Sequence, residues 1–337
     1  SVLAACREHG LSLTARGGGT SQAGQAIGRG LQVDFSKHMH RLLELKPDQQ
    51  RVRVEPGIVL DELNAMLAPY DLLLPLDLST SNRATIGGMI ANNSSGTRSV
   101  IYGKTLDYVE SLLVMLSDGS VVEWADIDEV ELATRCDEDS LNGRCHRLVR
   151  QLAHRHAAEI DQRYPKLLRR VGGYNLDEFV PGHSKPFNLS RLLVGSEGTL
   201  GLVLEATLRL VRMPRSRLVL SVQFDDLLDA LTAVPSILQH APSAVELIDR
   251  LILSHTAGKT EFEPLRDFIE GDPAAVLLVE VQGETDAELV PRLEELETEL
   301  RNLGLGTRFH RATDPGGQAR IWKLRRAALG LSMAQPG

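Results

Sequence analysis

The stretch 15-ARGGGTSQAG-24 places three consecutive glycines between an arginine and two hydroxyl side chains. Glycine reaches positive φ angles without strain, and a tight turn needs only one or two such residues. Bare backbone can also point several N–H groups at an anion such as a phosphate. Because this run holds more glycine than one turn requires, we interpret it as a phosphate-binding loop. A plain tight turn is the alternative.

Two familiar phosphate motifs do not match this loop. A P-loop ends in Gly-Lys followed by Ser or Thr, and no lysine precedes Lys37. The dinucleotide motif G-x-G-x-x-G opens a helix, whereas here Gln22 stands at the third glycine position after Gly17 and Gly19. The residues before the loop and the stretch 31-LQVDF are strand-like. We therefore predict a loop between two strands.

Two further regions are rich in small polar residues. The first is 75-PLDLSTSNRATIGGMIANNSSGTRSVIYGKT-105, which we read as a loop, and the second is 194-VGSEGTLG-201. A polar surface loop is the simpler reading of the first region, but Ile86, Met89 and Ile90 indicate a buried segment. Three loops of this kind predict one large ligand that is contacted at several places.

Composition excludes several classes of protein. The chain has 337 residues, 42% of them apolar, which is typical of a globular protein with a full core. A net charge of −8 and 4% aromatic residues argue against a nucleic-acid partner. The chain has three cysteines, an odd number, and no two of them form a C-x-x-C motif. Both facts argue against a disulfide framework or a cysteine-rich metal site within this stretch. No apolar run is long enough to span a membrane. We expect a cytoplasmic protein, or one peripheral to the inner membrane.

The pattern of elements changes near Met213-Pro214. Before it we predict helices over 2–9, 59–70 and 144–164, a hairpin within 109–124, and strand, glycine turn and strand over 192–211, with 126–139 undecided. After it the order is β-α-β-β-α-β, the split ferredoxin-like order. We predict domains at 1–212 and 213–337. Both chain ends are expected to be cut from a longer protein.

The segments 16-RGGGTSQAG, 84-ATIGGMIANNSSG with 102-YGKTLDYV, and 194-VGSEGTLGLV together resemble the FAD-linked oxidase, or vanillyl-alcohol oxidase, superfamily. The resemblance is strongest to the branch of D-lactate dehydrogenases, D-2-hydroxyglutarate dehydrogenases and one of the chains of glycolate oxidase. It implies an α+β fold: an FAD-binding domain of the PCMH type with two α+β subdomains, followed by a ferredoxin-like antiparallel-sheet cap domain that is incomplete here. Since no histidine lies in 15–24 or 75–105, we expect non-covalent FAD.

The resemblance also implies where FAD would bind. The first loop would wrap the pyrophosphate, the region from Pro75 to Gly96 would follow the pyrophosphate, ribityl chain and isoalloxazine, and the third loop would hold the adenine and ribose side. The residues expected to bind the cofactor are Arg16, Gly17, Gly18, Gly19, Thr20, Ser21, Pro75, Ser81, Thr85, Gly87, Gly88, Asn92, Asn93, Ser95, Gly96, Glu197, Gly198, Gly201 and Val203.

The resemblance implies oxidation of a D-2-hydroxy acid of the lactate, glycolate or 2-hydroxyglutarate type by hydride transfer to flavin. Arg325, at the end of the W-x-L-R segment in 321-IWKLRRAALG, matches the family arginine that contacts the substrate carboxylate. A threonine often follows four residues later, where this chain has Leu329. Taken without the resemblance, the same segment reads as a solvated basic helix face.

The catalytic base and a divalent metal are expected beyond Gly337, because the family's histidine-rich segment is missing from this chain. An iron–sulfur cluster is likewise expected only in a longer natural protein. The expected partners are a small hydroxy acid and an electron acceptor, which would be a quinone, an electron-transfer protein or an iron–sulfur domain; a homodimer is compatible with the sequence.

Two other functions stay open on the residues alone. One is a flavin oxidase or dehydrogenase of a non-acid substrate on the same fold. The other is a nucleotide-binding module without redox chemistry.

Overall fold

The structure is a computed structural model that describes residues 2–183 and 185–333, without the side chains of 328–333. It divides into two compact units. The first unit comprises Ser1–Gly96 and Gly103–Met213, and the second comprises Thr97–Tyr102 and Pro214–Gly337. Among the described helices, none has both the length and the apolar character needed to cross a membrane.

The elements are numbered in chain order. The helices are α1 (Val2–Glu8), α2 (Leu60–Leu67), α3 (Ile86–Asn92), α4 (Ser99–Tyr102), α5 (Glu129–Asp137), α6 (Leu141–Arg155), α7 (Ala157–Arg163), α8 (Ser190–Leu193), α9 (Leu227–Gln239), α10 (Arg250–Thr256), α11 (Asp286–Asn302) and α12 (Pro315–Met333). The strands are β1 (Leu13–Arg16), β2 (Leu31–Asp34), β3 (Leu42–Lys46), β4 (Arg51–Val54), β5 (Leu72–Leu73), β6 (Val109–Met115), β7 (Val121–Trp124), β8 (Leu202–Arg209), β9 (Val211–Arg212), β10 (Ser216–Phe224), β11 (Ala244–Asp249), β12 (Ala275–Gly283) and β13 (Arg308–Ala312).

The main sheet of the first unit is antiparallel, with strand order β3-β4-β8-β6-β7. Strand β4 shows why it forms, because Val52 and Val54 alternate with arginines and are fully buried on one face. The predicted hairpin of β6 and β7 is confirmed, with Gly119 in the turn at φ +91°. Strands β1 and β2 form a separate parallel pair, so the first glycine loop does join two strands, as predicted.

Several local predictions were wrong or incomplete in the first unit. The helix predicted over 144–164 is two helices, α6 and α7, which meet at His156. The strand predicted to begin at Leu192 is the end of the short helix α8. The region after Pro75, read as a loop, contains helix α3, and the undecided segment contains helix α5. A side-chain cap marks the start of each of these two helices. At α3, Thr85 accepts a hydrogen bond from the amide of Gly88, and at α5, Asp128 accepts one from the amide of Glu131. Strand β3 was not predicted.

The second unit has the predicted β-α-β-β-α-β order in β10, α9, β11, β12, α11 and β13, with α10 as an addition. Its sheet is antiparallel, with order β11-β12-β10-β13. One face of β10, including Leu220 and Val222, packs with residues of α9 and α11 in one core. The opposite face, including Val219, packs with Ile321 and Leu324 of α12 in a second core. Apolar runs such as 275-AVLLVEV are therefore buried on both faces.

A short segment from the middle of the N-terminal half belongs to the second unit. Residues Thr97–Tyr102, which include α4, are grouped with the C-terminal residues. Arg98 forms an ion pair with Glu280 of β12, and the Tyr102 hydroxyl accepts a hydrogen bond of 2.6 Å from the amide of Gln282. These two contacts fix the segment to β12.

Candidate functional site

The first glycine loop lies directly against the backbone that leads into α3. A Cβ atom added to Gly17 would fall 2.0 Å from Oγ1 of Thr85. A Cβ atom on Gly18 would fall 2.0 Å from the carbonyl oxygen of Arg83. Side chains do not tolerate such distances, so only glycine allows the two segments to approach this closely. The structure thus brings together two of the three loops that the sequence singled out.

Arg16 ends β1 at the base of this loop. Its Nη1 donates to the carbonyl oxygen of Ala26 at 3.2 Å, which ties the start of the loop to its later part. Gly19, at φ +63°, folds back over the guanidinium, because a Cβ there would lie 2.5 Å from Nη2 of Arg16. Across the strand pair, hydrogen bonds from Ser36 hold the pKa of Asp34 below its ordinary value, and the charge of Arg16 adds to that effect. Thr20 is half-buried in the same loop, and Ser21 is exposed and bonded to Gln25.

The second region folds back on itself around α3. The amide of Gly87 donates to the carbonyl oxygen of Pro56 at 2.7 Å, and a Cβ on Gly87 would lie 2.6 Å from Cβ of Pro56. Gly96 packs on the backbone of Asp77, with 2.1 Å from its added Cβ to the Asp77 carbonyl oxygen. Close approach at a glycine therefore occurs at the start of α3 and again after its end. Other predicted residues lie along it: Pro75 is buried, Ser81 is in a turn, Gly88 is exposed in α3, and Ser95 pairs with Lys104 in an isolated bridge.

The third loop is hydrogen-bonded to the end of α3. The amide of Gly195 donates to the carbonyl oxygen of Ile90, and the amide of Glu197 donates to that of Ala91, each at 2.9 Å. The side chain of Asn92 donates from Nδ2 to Oε1 of Glu197, also at 2.9 Å. Glu197 itself sits at φ +51°, an unusual conformation for a residue with a side chain. The second and third loops are thus one connected structure.

Two buried polar atoms at this junction have no hydrogen-bond partner in the protein: Nδ2 of Asn93 and Oγ of Ser196. Asn93 is 0% exposed and Ser196 is 3% exposed. The other end of the Asn93 amide is used, since its Oδ1 accepts from the amide of Leu106 at 3.0 Å. An unpaired buried donor is unfavourable by about 1–3 kcal/mol, and native structures usually satisfy it. A ligand with acceptor oxygens would satisfy both atoms.

Ser196 was not singled out from the sequence. A serine beside a glycine looks like any loop residue, and only its burial without a partner marks it. The neighbouring Gly198 is exposed at φ +78° with open space around it. Gly201 and Val203 lie further along, against the main sheet: Gly201 packs on Val114 and Val203 pairs with Val114. Gly201 and Val203 therefore pack where β8 meets β6, and not at the junction of the second and third loops.

Arg325 lies in the second unit, on α12. Its Nε and Nη2 donate to Oε2 of Glu246, at 2.9 Å and 2.6 Å. Arg325 is therefore held in a contact within the protein, so the basic face of α12 is not wholly solvated. The side chain of Leu329 lies outside the described residues. Within the described part of the chain, no group of three or more histidine, cysteine, aspartate and glutamate residues is placed to hold a metal ion.

Comparison with known proteins agrees with this arrangement. Residues 1–125 match the family described as an FAD binding domain, and residues 213–336 match the C-terminal domain of FAD linked oxidases. D-2-hydroxyglutarate dehydrogenase of Pseudomonas putida is 33% identical over 327 residues, which is 95% of this chain and 32% of that protein. The enzyme of the same name from Escherichia coli is 34% identical over 337 residues, which is 96% of this chain and 33% of that protein. The chain thus spans about a third of the length of these relatives.

A solved structure of alkyldihydroxyacetonephosphate synthase resembles the fold with a TM-score of 0.65 at 17% identity, over 97% of this chain and 52% of that one. This likeness supports the fold alone. The site in the first unit also fits FAD, because glycines bring bare backbone together and two buried donors there need acceptors. With an FAD binding domain followed by an FAD linked oxidase C-terminal domain, the chain belongs to the FAD-linked oxidase superfamily and has FAD as its cofactor.

Proposed function

We propose that the chain is part of an FAD-dependent dehydrogenase that oxidises a D-2-hydroxy acid of the lactate, glycolate or 2-hydroxyglutarate type. The observation that carries the flavin part is the connected set of three loops, with unpaired donors on Asn93 and Ser196. The acid part is supported by relatives at 33% and 34% identity that are named D-2-hydroxyglutarate dehydrogenases.

When bound, FAD supplies the acceptor for a hydride from the carbon that bears the hydroxyl group. The residues of the first unit would bind and orient the cofactor. We assign the backbone amides of Gly17–Gly19 and the charge of Arg16 to the pyrophosphate, because anions favour clustered N–H groups and a nearby guanidinium. Asn93 and Ser196 would donate to acceptor atoms of the cofactor at the junction of the second and third loops.

Arg325 would bind the substrate carboxylate, since a guanidinium matches a carboxylate with two parallel hydrogen bonds. The base that removes the hydroxyl proton, and a divalent metal beside it, are proposed to come from outside residues 1–337. The electron acceptor is proposed to be a quinone, an electron-transfer protein or an iron–sulfur domain, and the protein to work as a homodimer in the cytoplasm or at the inner membrane surface.

The first experiment is the visible absorption spectrum of the purified protein, followed by acid precipitation. We expect bands near about 375 and about 450 nm, and all of the FAD in the supernatant because it is held non-covalently. Flavin that stays with the precipitate would contradict non-covalent binding. A protein that is colourless and does not quench added FAD would contradict the assignment of these loops.

The second experiment identifies the substrate class. The full-length protein, loaded with FAD and kept free of oxygen, is mixed with D-2-hydroxyglutarate, D-lactate, glycolate and the L-enantiomers of the two chiral acids. Loss of the absorption near about 450 nm with a D-acid, and not with its L-enantiomer, is the expected result. If none of these acids bleaches the flavin, the substrate is not a D-2-hydroxy acid of this type.

A further inference from the structure

Two arginine–glutamate pairs lie side by side on one face of the sheet in the second unit. Glu280 of β12 pairs with Arg98, and Glu246 of β11 pairs with Arg325. Ala244 lies directly opposite Glu280, and Glu246 is two residues further along the same strand. Alternate residues of a strand point to the same face, so both carboxylates point to the face that α12 covers.

Apolar residues surround Glu246 on that face. Leu278 lies directly opposite Glu246, Ile248 is two residues further along β11, and both pack with Ile321 and Leu324 of α12. The buried polar residues of this face, Ser221 and Gln223, lie beyond Leu278 and Val276 on β10. A paired charge in such a place contributes little to stability, because removal from water offsets the attraction, and apolar residues of similar size often serve as well. The presence of Glu246 there calls for a role other than stability.

The contacts between Glu246 and Arg325 indicate such a role. Both of its contacts to Oε2 of Glu246 come from Nε and Nη2, which form one edge of the guanidinium plane. Trp322 precedes Arg325 by three residues, so the two lie on the same side of α12. The guanidinium of Arg98 lies 5.7 Å from the centre of the Trp322 ring, so the first ion pair also contacts α12.

The geometry points to Glu246 as a positioning residue that holds the guanidinium of Arg325 in the orientation required for a substrate carboxylate. This inference rests on the proposed function, in which Arg325 binds that carboxylate. An arginine side chain has many rotamers, and fixing one of them before the ligand arrives removes an entropy loss from binding. Because the carboxylate does not react, the contact to it would be the same in the bound substrate and in the transition state. The loss of Glu246 should therefore raise KM and leave kcat nearly unchanged.

The test uses Glu246→Ala, Glu246→Gln, Arg325→Lys and the control Asp267→Ala in the full-length protein. Asp267 accepts from Nε of Arg320 at 2.8 Å, and Arg320 lies on α12 like Arg325. The control therefore removes a more exposed ion pair from the same helix, outside the proposed site. Three quantities are measured. The first two are kcat and KM with D-2-hydroxyglutarate. The third is the affinity of the oxidised protein for 2-oxoglutarate, measured by calorimetry, which does not depend on turnover. FAD content and melting temperature are recorded for each variant.

For Glu246→Ala we expect KM and the dissociation constant of 2-oxoglutarate to rise roughly tenfold, with kcat within about twofold, because a hydrogen bond to a charged group is lost. Glu246→Gln keeps an acceptor for the arginine and should stay within about threefold of the parent protein. Asp267→Ala should leave all three quantities unchanged. Arg325→Lys should weaken acid binding at least as much as Glu246→Ala, because a lysine lacks the planar fork.

Two results would overturn the inference. If both Glu246 variants bind acids more tightly, Glu246 is a competitor for Arg325 and not its support. If neither variant changes acid binding while Arg325→Lys weakens it, Arg325 needs no support from Glu246. A failure of Arg325→Lys to change acid binding is a different outcome, because it removes Arg325 from the substrate site and so contradicts the proposed function itself.

Discussion

Arg98 and Glu280 are 182 positions apart in the sequence and form a two-point ion pair, with 2.7 Å from Nε to Oε1 and 2.7 Å from Nη2 to Oε2. The hydroxyl of Ser243 donates to the same Oε1 at 2.7 Å. The side chain of Glu280 is 1% exposed and that of Arg98 is 14% exposed. The carboxylate is therefore removed from water and depends on these partners.

Arg98→Met should destabilise the protein by about 3–5 kcal/mol, because it leaves a buried carboxylate without its cation. The double variant Arg98→Met with Glu280→Met should recover much of that loss, since both charges are gone. The measurement is the free energy of unfolding in urea. Arg215→Ala is the control, because Arg215 forms an exposed pair with Glu284 at 3.6 Å and its loss should have little effect. A double variant as unstable as the single one would show that the pair itself stabilises the fold.

Gly18→Ala should destabilise the first unit by about 1–3 kcal/mol and abolish FAD retention, because its Cβ would meet a backbone carbonyl at 2.0 Å. Gly17→Ala should be less severe when combined with Thr85→Ala, since the contacted atom is Oγ1 of Thr85. Gly172→Ala is the matched control, because a Cβ there meets nothing within 4 Å. FAD content and melting temperature measure the effects, and equal losses in Gly18→Ala and Gly172→Ala would contradict the packing argument.

Ser196→Ala should leave the melting temperature of the FAD-free protein unchanged or slightly higher, since its buried hydroxyl has no partner in the protein. Its affinity for FAD should fall about tenfold if the hydroxyl donates to the cofactor. Ser190→Ala is the contrast, because Oγ of Ser190 donates to Oδ1 of Asn188 at 2.6 Å and its loss should destabilise the FAD-free protein. Full FAD affinity in Ser196→Ala would exclude the hydroxyl from the cofactor site.

Acidification should destabilise the first unit through His146 of α6. Burial lowers the pKa of His146 below its ordinary value, although a hydrogen bond of 2.8 Å from Nδ1 to the carbonyl oxygen of Asn142 opposes that effect. The unfolded chain therefore binds a proton at a higher pH than the folded chain. The free energy of unfolding should fall as the pH drops below about 6.5, the ordinary value for histidine.

Urea unfolding at several values between about pH 7.5 and about pH 5.5 measures this slope. His146→Gln should reduce the dependence on pH, whatever it does to stability at neutral pH. His154→Gln is the control, because His154 is exposed on the same helix. An unchanged slope in His146→Gln would show that other groups carry the acid sensitivity.

The second unit was the part of the fold that the sequence predicted best. Its strands are long, mostly apolar runs, such as 217-RLVLSVQF, and its helices show apolar residues at helical spacing. In the first unit, short elements depend on caps and tertiary contacts. Helix α3 begins at a threonine cap within a run of glycine, asparagine and serine, residues with low helix propensity. Propensity alone therefore favoured a loop there.

At the candidate site, the glycines were predictable because their excess was visible in the sequence. Ser196 was not, since burial without a partner depends on how the third loop meets Asn93. The pairing of Arg325 with Glu246 could not be predicted either, because the two residues are 79 positions apart and no local pattern links them. Contacts of this kind depend on sheet register, which the residue pattern constrains only within each strand.

The segment Thr97–Tyr102 has a consequence for exchanging parts between relatives. The chain leaves its first unit after Gly96, contributes this segment to the second unit, and returns at Gly103. A fragment that starts at Pro214 therefore lacks Arg98 and Tyr102, so Glu280 loses its cation and keeps only Ser243 of the partners named above, and the side-chain amide of Gln282 loses its acceptor. A chimaera that takes the C-terminal half from another protein must also take that protein's version of Thr97–Tyr102, because the compact unit is not one continuous piece of the gene.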